Sequence, residues 1–207
     1  MRPKFDADAA KRIGDAVREI EAKTSAELVV DIRARSGSYA HADARFAATL
    51  TLVSLVALVF MPWTVPPIAV PFDAVIVYLG AIVVSRRIEI VRRLFTRQRE
   101  RLQAVRTHAA ALFHDRGIAN TADETGVLLY ASLLERRVEV LADRGVLQRV
   151  APNEWNALLD ELHVDRPLDP YAVIAAIRTL GAILERDVPA AAENVDELPS
   201  APEIQLT

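Results

Sequence analysis

The sequence predicts an α/β protein that is interrupted by a pair of membrane-spanning helices, and three observations support this class. Short β-rich runs are present, the clearest being the pair within GVLLYASLLERRVEV from Gly126 to Val140. Segments with apolar residues at helical spacing precede and follow these runs. Between residues 46 and 85 lie two long apolar segments that contain a single charged residue, Asp73.

A helix and a strand are predicted near the start of the chain. Asp6 precedes a segment in which apolar residues recur at helical spacing from Ala9 to Ile20, so Asp6 is the expected N-cap. The run AELVVDIRA then predicts a strand centred on residues 28–32. Ser36-Gly37-Ser38 is prone to form a turn and is expected to end this part of the fold.

The two apolar segments predict a helical hairpin in the membrane. A spanning helix needs about 20 mostly apolar residues, with roughly 17 as the lower limit. The segments from Ala47 to Trp63 and from Ile68 to Ser85 are just long enough. A buried hairpin in a soluble core is the alternative, but core helices of this length normally keep a polar face. We expect Asp73 to lie near the outer headgroups rather than to serve transport.

The distribution of basic residues predicts how the hairpin crosses the membrane. Arginines precede the first segment and follow the second, whereas the connection around Pro62 contains no Lys or Arg. The positive-inside rule then places both termini and the soluble domain in the cytoplasm, at the cell inner membrane. Five arginines after the second segment are expected to contact the lipid bilayer at its anionic headgroups: Arg86, Arg87, Arg92, Arg93 and Arg97.

No nucleic-acid partner is expected from the same arginines. The formal net charge of the chain is −3, and no recognised nucleic-acid-binding motif accompanies the basic segment. The sequence also contains no Cys, which excludes a disulfide framework, a thiolate zinc site and a cysteine nucleophile.

The basic segment is predicted to belong to one long helix. No Gly or Pro occurs between Ala81 and Arg116, so the second span is expected to continue unbroken to Asp115. Its first half would form a stalk at the membrane surface, and its second half would pack on the sheet. Apolar residues keep an approximately seven-residue repeat from Ile88 to Leu112. A coiled-coil homodimer through this stalk is the alternative use of that repeat.

The two β-rich runs predict a tight hairpin of strands. The first, Val127 to Tyr130, is apolar on both faces and is expected in the middle of a covered sheet. The second, Val138 to Leu141, alternates and is expected to be half exposed. The charged residues between them either discourage aggregation at the sheet edge or form a docking patch for a protein partner: Glu135, Arg136 and Arg137.

Three carboxylates flank this hairpin and are candidate metal ligands. Asp123 and Glu124 precede the first strand, and Asp143 follows the second. The entry of one antiparallel strand lies beside the exit of the next, so the three side chains are expected to converge. Clustered oxygen ligands suit Ca²⁺ or Mg²⁺. The alternative is that they are solvated loop carboxylates, with Asp143 capping a turn.

The segment TGVLLYASLLERRVEVLADRGV resembles the TPM domain family, as do KTSAELVVDIR, FHDRGI and a Trp-containing helix in the same order. The tail NVDELPSAP is similar to tails of the membrane-anchored bacterial branch. The resemblance covers roughly Asp6 to Ser36 and Arg101 to Asp187. It implies a compact α/β/α sandwich with a small mixed sheet. Some members are described as acid phosphatases and some bind divalent cations, so the resemblance also implies a candidate activity.

These expectations define three functions and four segments. The first function is a membrane-anchored protein-interaction or envelope-maintenance module without established catalysis. The alternatives are a divalent-metal-dependent phosphatase centred on the three carboxylates and a structural two-span membrane subunit. The expected segments are 1–38 (first part of the domain), 39–85 (membrane hairpin), 86–188 (stalk and remainder of the domain) and 189–207 (extended tail).

Overall fold

The computed structural model describes residues 5–62, 65–121, 123–163, 167–191, 198 and 201–206. The chain divides into two compact units. The α/β unit consists of residues 1–36 and 102–207, and the hairpin unit consists of residues 37–101.

The α/β unit is built on a four-stranded mixed sheet in the order β3-β2-β1-β4. Strand β1 is parallel to β2 and to β4, whereas β2 is antiparallel to β3. The predicted hairpin of strands is confirmed, with β2 inside the sheet and β3 at its edge. The strands are β1 (Glu27–Arg33), β2 (Gly126–Ser132), β3 (Arg137–Ala142) and β4 (Glu203–Gln205).

Helices account for the rest of the regular structure that is described. The helices of the α/β unit are α1 (Ala7–Glu21), a 3-10 helix (Ile118–Asn120), α6 (Arg144–Arg149), α7 (Pro152–Leu162) and α8 (Pro170–Asp187). The hairpin unit contains α2 (Ala40–Val59), α3 (Ala69–Arg87) and α4 (Glu89–Leu94). Helix α5 (Gln98–Asp115) begins in the hairpin unit and continues into the α/β unit.

Helices cover both faces of the sheet. Successive side chains of a strand point to opposite faces, so β1 contributes to two apolar clusters. Leu28 and Val30 pack in a large core with α1, α7 and α8. Val29 packs in a smaller core with Val105 and Phe113 of α5. The predicted α/β class with a small mixed sheet is therefore confirmed.

Two glycines mark close approaches in this core. A Cβ at Gly126 would lie 1.9 Å from the carbonyl oxygen of Ile118, so the start of β2 has no room for a side chain. A Cβ at Gly181 would lie 2.4 Å from Cδ1 of Ile20, which allows α8 to pack closely on α1.

Side-chain caps begin helices α1 and α8, and the cap at Asp6 is the one that the sequence predicts. Asp6 accepts a hydrogen bond from the backbone N–H of Ala9 at 2.9 Å and starts α1. Asp169 accepts from the N–H of Ala172 at 2.8 Å and starts α8, whose first residue is Pro170. Each cap satisfies a backbone donor that the first helical turn leaves unpaired.

Helices α2 and α3 pack against each other as a hairpin, as predicted. The expectation of one unbroken helix from the second span to Asp115 is wrong, because the helix stops after Arg87 and again after Leu94. Ile88 has extended backbone, with φ −114° and ψ 97°. Trp63, the last residue of the first predicted span, and the following Thr64 lie outside the described residues.

Polar side chains explain the second interruption although neither Gly nor Pro is present. The Thr96 hydroxyl donates to the carbonyl of Arg92 at 2.7 Å, and Arg45 Nη1 donates to the carbonyl of Phe95 at 3.3 Å. The carboxylate of Glu100 accepts from the N–H of Arg97 at 3.3 Å. These bonds satisfy backbone groups that a continuing helix would otherwise pair.

Candidate functional site

A row of polar residues crosses the sheet on the face covered by α5. Glu139 of β3, Tyr130 of β2, Asp31 of β1 and Glu203 of β4 are neighbours in the strand register. Asp31 and Tyr130 are fully buried. Charged side chains in a sheet interior are uncommon unless they are paired, so this row is the first candidate for a functional site.

The Asp31 carboxylate is fully engaged by two guanidinium groups. Arg33 Nε donates to Oδ1 at 2.7 Å, and Arg33 Nη2 donates to Oδ2 at 3.2 Å. Arg116, which follows α5, donates from Nη2 to Oδ2 at 2.6 Å. The hydrogen bond to Asp31 raises the pKa of Arg33. An anion held this way stabilises the fold and is poorly suited to act as a general base.

The last strand attaches to the same cluster. Arg116 forms an ion pair with Glu203, and Arg33 Nη1 donates to the side-chain oxygen of Gln205. The backbone N–H of Ala34 donates to the carbonyl of Gln205 at 2.9 Å. Part of the predicted extended tail is therefore a strand, held by backbone pairing and by two arginines.

A second polar network lies where β1 and β2 end. The Ser36 hydroxyl lies 2.8 Å from the hydroxyl of Tyr130 and donates to the hydroxyl of Ser132 at 2.7 Å. The carboxylate of Glu135 accepts from the Ser36 N–H at 2.9 Å and from the Ser132 hydroxyl. Burial raises the pKa of Tyr130 to about 12, so its phenol stays protonated at neutral pH.

This network bears on the predicted partner-binding turn. Glu135 is a buried residue whose carboxylate points into the α/β unit, whereas Arg136 and Arg137 are partly buried. Arg136 adopts a positive φ of 55°, which makes the turn between the strands tight. A docking role for Glu135, Arg136 and Arg137 stays a prediction, and Arg136 within the turn is a position at which to test it.

Glu139 forms the centre of a looser charged cluster at the edge strand. Its carboxylate lies 3.6 Å from Arg106 Nε, 3.7 Å from Arg137 Nε and 3.5 Å from His163 Nε2. These separations are long for hydrogen bonds but close enough for charge–charge attraction. Burial, followed by the positive charge of Arg137, lowers the pKa of His163, which favours its neutral form.

The backbone segments that carry the predicted metal ligands meet at the other end of the hairpin, where the N–H of Gly145 donates to the carbonyl of Glu124 at 2.9 Å. Asp143 accepts a hydrogen bond from the N–H of Arg144 at 2.7 Å and caps α6. Glu124 is exposed, adopts a φ of 55° and lies 3.8 Å from Arg144 Nε. A Cβ at Gly145 would lie 2.5 Å from the carbonyl oxygen of Asp123, so the loop and α6 touch.

The hydrogen bond that Asp143 makes is that of a helix cap rather than that of a metal ligand. Among the described residues, no group of three or more His, Asp or Glu side chains lies close enough together to hold a metal ion. The Ca²⁺ or Mg²⁺ site at Asp123, Glu124 and Asp143 stays a prediction for titration to test.

The hairpin unit contains two helices that are long and apolar enough to cross a membrane, judged by length and composition. Helix α2 has 20 residues and α3 has 19. Only 17% of the most apolar 18-residue stretch of α2, and 11% of that of α3, is buried within the protein. Polar pairs join the two helices: Ser54 donates to Asp73 at 2.8 Å, and Ser85 donates to Asp43 at 2.7 Å.

The five predicted membrane-surface arginines do not share one environment. Arg86 and Arg87 occupy the last turn of α3 and are exposed, as is Arg97 before α5. Arg93 is half exposed. Arg92 bonds both carboxylate oxygens of the buried Asp43, at 3.0 and 2.9 Å. Arg86 is exposed, but its Nε also lies 3.8 Å from Asp43 Oδ2.

Sequence reasoning missed the Asp31 cluster and the Ser36 network. One signal was visible: Asp31 interrupts an otherwise apolar strand, LVVDIR, which indicates a buried and therefore paired acid. Its partner Arg116 is 85 positions away, and no local pattern identifies it.

The described residues form an α/β fold in which helices cover both faces of a mixed sheet, with a buried polar row on one face. No family model matches the chain, and no curated protein matches it. Among solved structures, the chain is similar to the BA42 protein from the psychrophilic bacterium Bizionia argentinensis, determined by NMR, with a TM-score of 0.53 and 16% sequence identity. The likeness covers 96% of this chain and 94% of BA42. It supports the predicted TPM resemblance at the level of the fold.

Proposed function

We propose that this protein is a membrane-anchored TPM-like module whose α/β unit faces the cytoplasm and acts by binding a protein partner. The observation that carries the proposal is the low burial of α2 and α3. Core helices of soluble proteins bury most of their apolar surface, whereas most of the apolar surface of these helices is uncovered. A bilayer is the environment that accepts two such helices.

The arginine distribution supports the orientation. Arg86 and Arg87 end α3, while the connection from Phe60 to Ile68 contains no Lys or Arg. Basic residues near spanning segments favour the cytoplasmic side. The α/β unit therefore belongs in the cytoplasm, at the cell inner membrane.

The polar interior of the α/β unit supports a binding role over acid–base catalysis. The carboxylates of Asp31 and Glu135 are bonded to groups of their own unit. Such groups hold the sheet in one arrangement, and the surface of the unit is then available for recognition. We propose envelope maintenance as the cellular role of this cytoplasmic unit.

Cysteine accessibility tests the membrane topology directly, because the native chain contains no Cys. In Met61→Cys, the single thiol should react with a membrane-impermeant maleimide added to intact cells. In Thr107→Cys, on an exposed position of α5, the thiol should react only after the inner membrane is permeabilised. The reverse pattern would overturn the orientation, and reaction of neither variant with intact cells would contradict the exposed loop.

Photo-crosslinking tests the partner. A photo-reactive amino acid at Arg136 should yield a discrete adduct with one protein in cells. The matched control is Lys11, an exposed position on α1. Adducts that are the same from both positions, or the absence of any adduct from Arg136, would contradict a docking role for the 135–137 turn.

A further inference from the structure

Helix α4 has two different faces. Arg92 and Phe95 point toward the hairpin, and the ring of Phe95 packs edge-on against Phe46 with centroids 5.2 Å apart. Ile90 and Leu94 are four residues apart and share the opposite face. They are 71% and 80% exposed, although both are large apolar side chains.

A buried ion pair fixes this orientation. Arg92 Nε donates to Asp43 Oδ1 at 3.0 Å, and Arg92 Nη2 donates to Oδ2 at 2.9 Å. Ser85 of α3 donates to the same carboxylate at 2.7 Å. A bidentate arginine–carboxylate pair is directional, so it holds α4 against α2 and α3 at one rotation.

Further exposed apolar residues precede α4 in the chain. Val83, Val84 and Ile88 are exposed and lead along the chain to Ile90 and Leu94. Exposed arginines lie on both sides of α4, with Arg86 and Arg87 before it and Arg97 after it. Apolar side chains bordered by arginines are typical of a segment in the headgroup region of an anionic leaflet.

We propose that α4 is an interfacial anchor that binds the anionic leaflet beside the spanning hairpin. Ile90 and Leu94 enter the boundary between headgroups and acyl chains, and Arg86, Arg87 and Arg97 face lipid phosphates. Arg92 is a positioning residue that holds α4 to Asp43. The inference rests on the proposed membrane insertion and adds the lipid class that the protein recognises.

Site-specific fluorescence in vesicles tests the inference on the full chain. Single cysteines at Leu94, at Val56 within α2 and at the exposed Gln103 of α5 are labelled with an environment-sensitive dye. The protein is reconstituted into phosphatidylcholine alone or into equal parts of phosphatidylcholine and phosphatidylglycerol. Doxyl-labelled lipids then quench only those dyes that contact the bilayer.

We expect the Leu94 dye to be quenched by a shallow doxyl group, about twofold more in the anionic vesicles, and the Gln103 dye to be quenched in neither. In Arg92→Ala the Leu94 quenching should fall while the Val56 quenching is unchanged, and Arg92→Lys should restore part of it. In the double variant Arg87→Gln, Arg97→Gln, which leaves the contact between Arg86 and Asp43 in place, the difference between the two lipids should decrease.

The two proposals fail differently in this experiment. Quenching of Val56 without quenching of Leu94 would overturn the interfacial anchor and leave the spanning hairpin in place. Equal quenching of Leu94 in both vesicles would overturn the selectivity for anionic lipid. The absence of quenching at Val56 would overturn membrane insertion and the anchor with it.

Discussion

Replacement of Arg116 by Met should destabilise the α/β unit by about 2–3 kcal/mol. Arg116 donates a 2.6 Å hydrogen bond to the fully buried carboxylate of Asp31. A hydrogen bond to a charged group contributes about 1.5–3 kcal/mol, and removal of one partner of a buried ion pair costs about 3–5 kcal/mol. Because Arg33 still reaches both oxygens of Asp31 in the variant, the charge is not left unpaired, and the expected cost stays below the range for a broken buried pair and within the range for one charged hydrogen bond.

Urea unfolding of the full chain in detergent micelles measures this effect. Trp155 lies in the core of the α/β unit and reports its unfolding once the other tryptophan is removed by Trp63→Phe in every variant. The matched control is Arg18→Met, which removes an exposed pair with Asp15 and should cost less than about 1 kcal/mol.

A double-mutant cycle separates the ion pair from general damage. In the Asp31→Asn background, Arg116→Met should cost clearly less than it does in the wild-type background, because the buried negative charge is gone. If Arg116→Met is no more destabilising than Arg18→Met, or if its cost is unchanged beside Asp31→Asn, the account of the buried cluster is wrong.

Three further predictions concern other parts of the α/β unit and the hairpin. Gly126→Ala should lower the free energy of unfolding by about 3 kcal/mol or more in the same assay, because the backbone carbonyl of Ile118 occupies the position of the new methyl group. The control Gly80→Ala on α3 should be neutral, because no described atom lies within 4 Å of the new methyl group. Millimolar Ca²⁺ or Mg²⁺ should raise Tm in thermal-shift measurements if the two ions bind at the predicted cation site. Asp143→Asn should reduce this rise in Tm, although an asparagine side chain can still cap α6. If neither ion raises Tm, the prediction of a cation site is wrong. Because the pKa of His163 is lowered in the folded protein, the imidazole is protonated first in the unfolded chain as pH falls, so the free energy of unfolding should decrease below about pH 6.5. His163→Gln should therefore flatten the dependence of the urea midpoint on pH between about pH 7 and pH 5. If the variant and the wild-type protein give the same dependence, another group is responsible.

The elements that depend on neighbouring residues were the predictable ones. The pattern of residues 126–142, a fully apolar run followed by an alternating one, is local, and it correctly indicated an inner strand, a tight turn and an edge strand. The cap at Asp6 is recognised for the same reason, since a cap and the first helical turn are adjacent in sequence.

The features that the sequence did not disclose depend on residues far apart in the chain. The break between α4 and α5 uses Arg45, which bonds the carbonyl of Phe95 across 50 positions. Strand β4 has only three residues without a periodic pattern, and its place beside β1 follows from the register and from Arg33 and Arg116. Composition and periodicity do not identify contacts between residues that lie far apart in the chain.

The insertion of the hairpin between β1 and β2 has a consequence for biogenesis. The two strands form a parallel pair, yet β1 leaves the ribosome first and its partner follows only after residues 37–101 and α5 have been synthesised. In the proposed topology, translocon-mediated insertion takes place in that interval. The nascent α1–β1 segment must then remain unaggregated until β2 emerges, so delivery of the chain to the membrane becomes a step in the maturation of its cytoplasmic part.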